Sequence, residues 1–511
     1  MKIMAEFNSK AVRLANMPIR WFSVRDKKRD EGLSSSEDKP RWINFLLLLG
    51  ALIGALFFIL PPPVGVSING WRVLGLLIPI IIVWATEALP VGVSSMLFLS
   101  LTVAFHLVGI EVAFKGFTSH LPWLMAGAFA IGVAMQQTGL SKRMAYYLLS
   151  RLNNFWGLIL GTYLVNICLM SVPSSSARSG ILAPILKSIT TTVSDNPKSN
   201  FSRWLTYLFC TATDAFVGQM FLTGGASNAI LIGLYSELSG HSLNWGQWIV
   251  IMAIPAIIFS LFATFGSLLF GRPEPELIAK VNNSKATNIN YTALGPMTAG
   301  EWRVLFIFLF AIFLWIIGSK IRLEPGITAL IIMSIIFLPR IGVLKIEALQ
   351  SFNWNIVLLI GAVMGVGGIL KETGMIDVLS KALIDPILGP LSTFGLLGIA
   401  IGVIIIGFIT HFLLPSPNNL SMSLPLLFTW GLTTAHLPMP AILAFLGMLT
   451  FLTDKIVLFP YQIPPYYVFL SVEVTDRPRF TKLLLKMYPI MVIAAIIGTF
   501  VAYALLNITK Y

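Results

Sequence analysis

Polar residues are scarce along most of this chain, and where they break the apolar pattern they do so in clusters. Apolar runs near the roughly 20 residues needed to cross a bilayer occupy 42–60, 71–85, 91–107 and 121–140. They recur at 245–270, 304–318, 327–338, 357–374 and 487–506. The first stops at Pro61-Pro62-Pro63, the fourth at Thr138-Gly139. Residues 141–151 and 375–384 are short and charged, reading as surface helices. Four segments do not fit a simple span. Residues 153–189 hold two apolar arms around Pro173-Ser174-Ser175-Ser176, too few for two crossings. They predict a re-entrant hairpin with a return arm of about a dozen residues. Residues 391–434 repeat the plan around a tip at 415–419. Residues 201–235 and 442–470 are apolar but broken, at Gly224-Gly225-Ala226-Ser227-Asn228 and near Pro460–Pro465. Each predicts a discontinuous helix.

The pattern doubles. Phe117 and Phe352 lie 235 residues apart, and the same offset pairs Gly132 with Gly367 and Thr138-Gly139 with Thr373-Gly374. Gly157/Gly161 and Gly398/Gly402 mark the outgoing hairpin arms, and Phe221-Leu222-Thr223 recurs as Phe451-Leu452-Thr453. The common order predicts two structural repeats, inverted if each has an odd number of spans. The divisions expected are a tail (1–41), a first span and loop (42–70), repeat one (71–270), a linker (271–303) and repeat two (304–511).

Composition agrees. The chain has 511 residues, 56% hydrophobic and 11% charged, against roughly 25% charged in soluble domains. The class is an all-α polytopic membrane protein. Net charge is +13, and residues 1–41 alone carry ten Lys or Arg. Most remaining Lys and Arg fall on one side if eleven spans are counted, which sets that side as cytoplasmic. The N-terminus is then inside and the C-terminus outside. Contact with anionic lipid follows, and nucleic acid is not a partner. Two cysteines, Cys168 and Cys210, and five scattered histidines support neither a disulfide framework nor a metal set. Without a clustered acid, base and nucleophile, an enzyme is not expected.

The tips carry the candidate chemistry. A half-helix starting at midplane directs free N–H groups and its positive end at whatever sits there. Serine hydroxyls and asparagine amides add donors suited to a carboxylate or sulfate. The expected substrate contacts are Ser174, Ser175, Ser176, Arg178, Ser416, Asn418 and Asn419. The expected sodium ligands, as coupling ions rather than cofactors, are Ser174, Ser175, Gly224, Gly225, Asn228 and Asn418, because hard cations prefer oxygen. An arginine beside a midplane tip is costly unless paired or functional, so Arg178 either meets the anion, replaces a coupling cation or pairs with Asp214. Asp454-Lys455 reads as a self-neutralising pair. The glycine pairs read as packing seams, and His411 as a core residue near the second tip.

Trp84–Pro90 (WATEALP), the two tips, residues 221–228 (FLTGGASN) and residues 459–465 (FPYQIPP) resemble the divalent anion/sodium symporter family of dicarboxylate, citrate and sulfate transporters. The resemblance covers residues 42–506. It implies eleven spans plus two hairpins, a homodimer, and elevator movement of a transport domain against a scaffold. The tips depart from that family's Ser-Asn-Thr: Ser175 stands where Asn is usual, and Pro417 interrupts the second tip. Members that exchange anions without sodium carry basic residues near the tips, and Ser-Ser-Ser-Ala-Arg resembles their first one. The expected activity is sodium-coupled secondary transport of small di- or tricarboxylates in a bacterial inner membrane. The alternatives are a sodium-independent exchanger, a sulfate transporter and, from another class, a passive anion channel.

Overall fold

A computed structural model describes residues 41–508 except 87, 152–153, 173, 197, 241–242, 284–293, 322, 415–417 and 459–463, and each of its elements is a helix. In chain order the main ones are α1 (Arg41–Ile59), α2 (Ile68–Thr86), α3 (Val91–Ala104), α4 (His120–Thr138), α5 (Leu140–Arg151), α6 (Phe155–Cys168) and α7 (Ser175–Val193). Then come α8 (Asn200–Tyr207), α9 (Thr213–Met220), α10 (Ala226–Ser239) and α11 (Trp245–Gly271). The second half supplies α12 (Ala299–Ile321), α13 (Pro325–Phe337), α14 (Trp354–Glu372), α15 (Gly395–Leu413), α16 (Asn418–Thr429), α17 (Met439–Asp454), α18 (Pro464–Leu470) and α19 (Arg477–Ile508).

Five of these, α2, α11, α12, α14 and α19, are long and apolar enough to cross a membrane over most of their length. The outward faces of α12 and of the shorter apolar helix α1 are greasy at helical spacing. Phe306, Leu309, Phe310, Phe313 and Ile316 are exposed on α12, and Phe45, Leu48, Leu52, Leu56 and Ile59 on α1. In water such stripes would be a liability; in hydrocarbon they are the favoured surface. This is a multi-pass membrane protein.

Ends follow the punctuation in the sequence. Gly139 caps α4 in the left-handed region (φ 83°), and Gly374 takes φ 72° just after α14. Arms α6 and α7 have 14 and 19 residues. At 1.5 Å per residue they reach about 21 and 28 Å, short of a roughly 30 Å core. The return arm is thus longer than the dozen residues expected, because Pro184 sits inside α7 without ending it. The stretch expected as linker holds a helix of its own, Pro275–Asn283, and α12 starts within it at Ala299. There Thr298 and Glu301 cap α12: Thr298 N–H donates to Glu301 Oε2 at 2.7 Å and Glu301 N–H to Thr298 Oγ1 at 3.2 Å. Arg143 of α5 reads the same turn. Its Nε donates to Glu301 Oε1 at 2.6 Å, and its other nitrogens to the carbonyls of Leu294, Gly295 and Pro296. A basic residue that looked like a topology signal is therefore buried and structural.

The two halves pack crosswise. α4 lies along α13, and α14 lies along α3; α11 lies along α19. The α4–α13 crossing is close because a Cβ on Gly127 would fall 2.4 Å from the Ala329 carbonyl oxygen. On α15 the glycine seam works similarly: Gly398 and Gly402 abut Leu391 and Leu388 of the Asp385–Ser392 helix. Trp84 is buried and joins α2 to α3 through Nε1–H donating to Ser94 Oγ at 3.1 Å. Glu87, in the turn between them, lies outside the described residues.

Candidate functional site

The first hairpin tip is built on a helix start. Ser174 has extended backbone and caps α7, its Oγ accepting from Ala177 N–H at 3.3 Å. Ser174, Ser175 and Ser176 are half-buried. One turn on, Arg178 is 1% exposed. A guanidinium has five N–H donors, and all five have acceptors within the protein. Nε donates to Asp214 Oδ1 at 3.1 Å, and Nη2 to the same oxygen at 2.6 Å and to Ser175 Oγ at 3.1 Å. Nη1 donates to the carbonyls of Val172 at 2.6 Å and Gly224 at 2.5 Å. Arg178 therefore reaches a substrate only by giving up one of these.

Asp214 opens α9 and is shared. Its Oδ2 accepts from Lys455 Nζ at 2.6 Å and from Ser175 Oγ at 3.0 Å. Lys455 Nζ also lies 3.4 Å from Ser175 Oγ. Of the readings open for Arg178, pairing with Asp214 is present. The expected Asp454–Lys455 self-pair is instead spread over two partners, since Asp454 accepts a hydrogen bond from Ser227 Oγ in the first turn of α10. Two buried cations and a carboxylate in an apolar interior are tolerable because each is paired and hydrogen-bonded. Asp214 faces α7 because a π-turn, Leu208–Ala212, precedes α9 and advances the chain by one residue. Thr213 Oγ1 bonds back into that turn and accepts from Asn166 Nδ2 at 2.8 Å, fixing it against α6.

The break between α9 and α10 brings the Gly224 carbonyl to Arg178. A Cβ on Gly224 would stand 2.2 Å from the Val217 carbonyl oxygen, so only glycine fits. Gly225 is extended (φ −158°, ψ 151°). Asn228 staples the break, its Nδ2 donating to the Gly218 carbonyl at 2.6 Å and to that of Phe221 at 2.9 Å. Of the expected ligands, then, Ser175, Arg178 and the Gly224 carbonyl come together. Ser174 caps, Ser176 borders the tip, Gly225 passes beside Gly218, and the Asn228 amide shapes the backbone.

The second tip contributes less to the picture. Ser416 and the Asn418 side chain lie outside the described residues. Asn419 is fully buried, and neither end of its amide has a partner among the described residues. His411 is buried, its Nδ1 3.3 Å from the Leu452 carbonyl oxygen. Sequence reasoning left Lys455 out of the site. Its one signal was the cost of an ammonium inside a greasy segment, and its partner stands 241 residues away.

The sequence pattern defining the sodium:sulfate symporter transmembrane region matches residues 39–506. Dicarboxylate transporter 1, chloroplastic, of Spinacia oleracea is 27% identical over 351 residues, 67% of this chain. Its Arabidopsis thaliana namesake is 26% identical over 378 residues, 72% of this chain. These matches span 61% and 67% of the two plant proteins' own length. The L-tartrate/succinate antiporter of Escherichia coli (strain UTI89 / UPEC) is 24% identical over 432 residues, 80% of this chain and 87% of that protein. With 39–506 matched, the chain belongs to the sodium:sulfate symporter family of membrane transporters.

Proposed function

We propose that this protein is a secondary active transporter of small di- or tricarboxylates, and that it works as an exchanger without sodium. The observation carrying the exchange reading is Arg178 Nη1, which donates to the carbonyls of Val172 and Gly224. Those are oxygens a sodium ion at the first tip would use. A tethered guanidinium supplies the same positive charge permanently, so the site needs no soluble cation to hold an anion. This reverses the order of the two readings drawn from sequence. The relatives named for dicarboxylates and for tartrate/succinate exchange support the substrate class.

The anion rests on the half-buried hydroxyls of Ser174 and Ser176, beside Ser175 whose proton goes to Asp214, and on the N–H groups that begin α7, whose dipole favours negative charge. Asn419, buried with no partner for its amide among the described residues, is the second tip's contribution, alongside Ser416 and Asn418. The crosswise packing of α4 on α13 and α14 on α3 supports two inverted repeats, because exchanging the halves returns the same pairings. Eleven spans, elevator movement and a homodimer complete the proposal, with the N-terminus cytoplasmic and the C-terminus outside.

Reconstituted vesicles test it. Uptake of labelled succinate into vesicles preloaded with succinate or malate should proceed equally in sodium and choline buffers, and should cease in empty vesicles. Uptake into empty vesicles driven by an inward sodium gradient would sink the exchange reading. Downhill flux unaffected by either would make the protein a channel.

A further inference from the structure

We propose that Lys455 is a fixed cation of the substrate site, supplied by the second half of the chain, and that it sets a preference for dianions over monoanions. The inference rests on the reading of the first tip as the anion site. Lys455 leaves the end of α17 with its side chain 6% exposed, and its ammonium stands 3.4 Å from the hydroxyl of Ser175, the middle serine of that tip. Any carboxylate held by the serines lies within one further hydrogen bond of it.

Holding Asp214 does not explain a second cation. Arg178 already gives Asp214 two bonds and Ser175 a third. Burying an ammonium costs several kcal/mol even after relaxation, and one carboxylate neutralises only one cation. Arg178, Lys455 and Asp214 together therefore leave one positive charge in excess. The carboxylate of Asp454 accepts from Ser227 at the start of α10, where a negative charge offsets the helix end. The ammonium has three N–H groups, and its partners among the described residues take two. Gly218 lets the backbone pass close to both cations: a Cβ there would crowd Lys455 Nζ at 3.0 Å and Arg178 Nη2 at 3.3 Å. An ammonium proton and an excess charge converge beside Ser175. That is a cradle for an anionic oxygen, supplementing neutral hydroxyls that bind one carboxylate without counting charge.

The test is isothermal titration of the purified full chain with succinate and with its monomethyl ester. Lys455→Met keeps the bulk and removes the charge, while Asp214 stays held by Arg178, so a folded protein is expected by gel filtration and melting. Succinate binding should weaken about tenfold to a hundredfold, the worth of a hydrogen bond to a charged group. Binding of the ester should change little. Lys455→Arg should retain most of the succinate affinity, and ethylammonium should restore part of it to Lys455→Ala. Unchanged succinate binding in Lys455→Met overturns the proposal. So does equal weakening for both ligands in Met and Arg variants alike with no rescue, which marks a structural residue. Wild-type protein that binds neither succinate, malate nor citrate overturns the anion-site reading, and this inference with it. Wild-type binding matched by Lys455→Met overturns this inference alone.

Discussion

The tripeptide Phe-Leu-Thr occurs once in each half, at 221–223 and at 451–453, and the two copies end differently. In the first, Gly224-Gly225 follow. α9 has already ended at Met220, and the tripeptide runs from extended Phe221 into a 3-10 turn, Leu222–Gly224, whose last carbonyl accepts from Arg178. In the second, Asp454-Lys455 follow. α17 continues through the tripeptide, Thr453 Oγ1 bonding back to the Leu449 carbonyl at 2.9 Å, and the chain leaves the helix at Lys455. One half thus supplies backbone acceptors to a cation, the other supplies a cation. A shared frame is used for opposite electrostatic purposes, and the two are joined through Arg178 and Asp214.

That contrast is easiest to break at its meeting point. Asp214→Asn leaves Arg178 and Lys455 facing each other without a buried counter-charge. It should cost about 3–5 kcal/mol, the usual penalty for unpairing a buried ion pair, and be seen as lost monodisperse protein and a lowered melting temperature. If Asp214→Asn melts like wild type, the two cations do not depend on one carboxylate. Gly224→Ala should be next, at about 1–3 kcal/mol, because its Cβ meets backbone rather than a pliable side chain. Gly225→Ala, whose nearest neighbour is the Gly218 carbonyl oxygen at 3.2 Å, should cost clearly less. Equal melting temperatures would mean that the break, not the Gly224 approach, is what matters. Ser174→Ala should remove about 1 kcal/mol by uncapping α7, measured by the same melts. Smallest is Asp454→Asn, about 0.5 kcal/mol, since an amide still accepts from Ser227 while the charge facing the α10 end is lost.

Much of this was legible in the letters. The helices flanking Ser174–Ser176 and the break at Gly224–Gly225 follow from apolar runs against Pro, Gly and Ser, because lipid leaves backbone few alternatives. Gly139 and Gly374 closed their helices as read. The Ser-Ser-Ser tip and Arg178 were visible because polar residues inside an apolar run are expensive. Three things were not. The helix at Pro275–Asn283 and the early start of α12 lie among polar residues, where hydropathy is silent and the decisive contacts come from Arg143 and Glu301 across the fold. Lys455 looked paired with its sequence neighbour, since nothing local says that its ammonium turns to a helix 241 residues away. Gly224 was read as an oxygen ligand, but that Arg178 takes its carbonyl together with that of Val172 is a backbone contact with no letter at all.

The π-turn at Leu208–Ala212 has a consequence for how such a site tolerates change in chain length. Removing one residue there would restore an ordinary α-turn and keep the segment as apolar and as helical as before. It would also rotate all of α9 by about 100°, swinging Asp214 off Arg178 and Lys455. The surplus residue acts as a reading frame for charge. A chain shortened by one at this turn would still insert, still resemble its relatives in hydropathy, and yet present a different side chain to the tip.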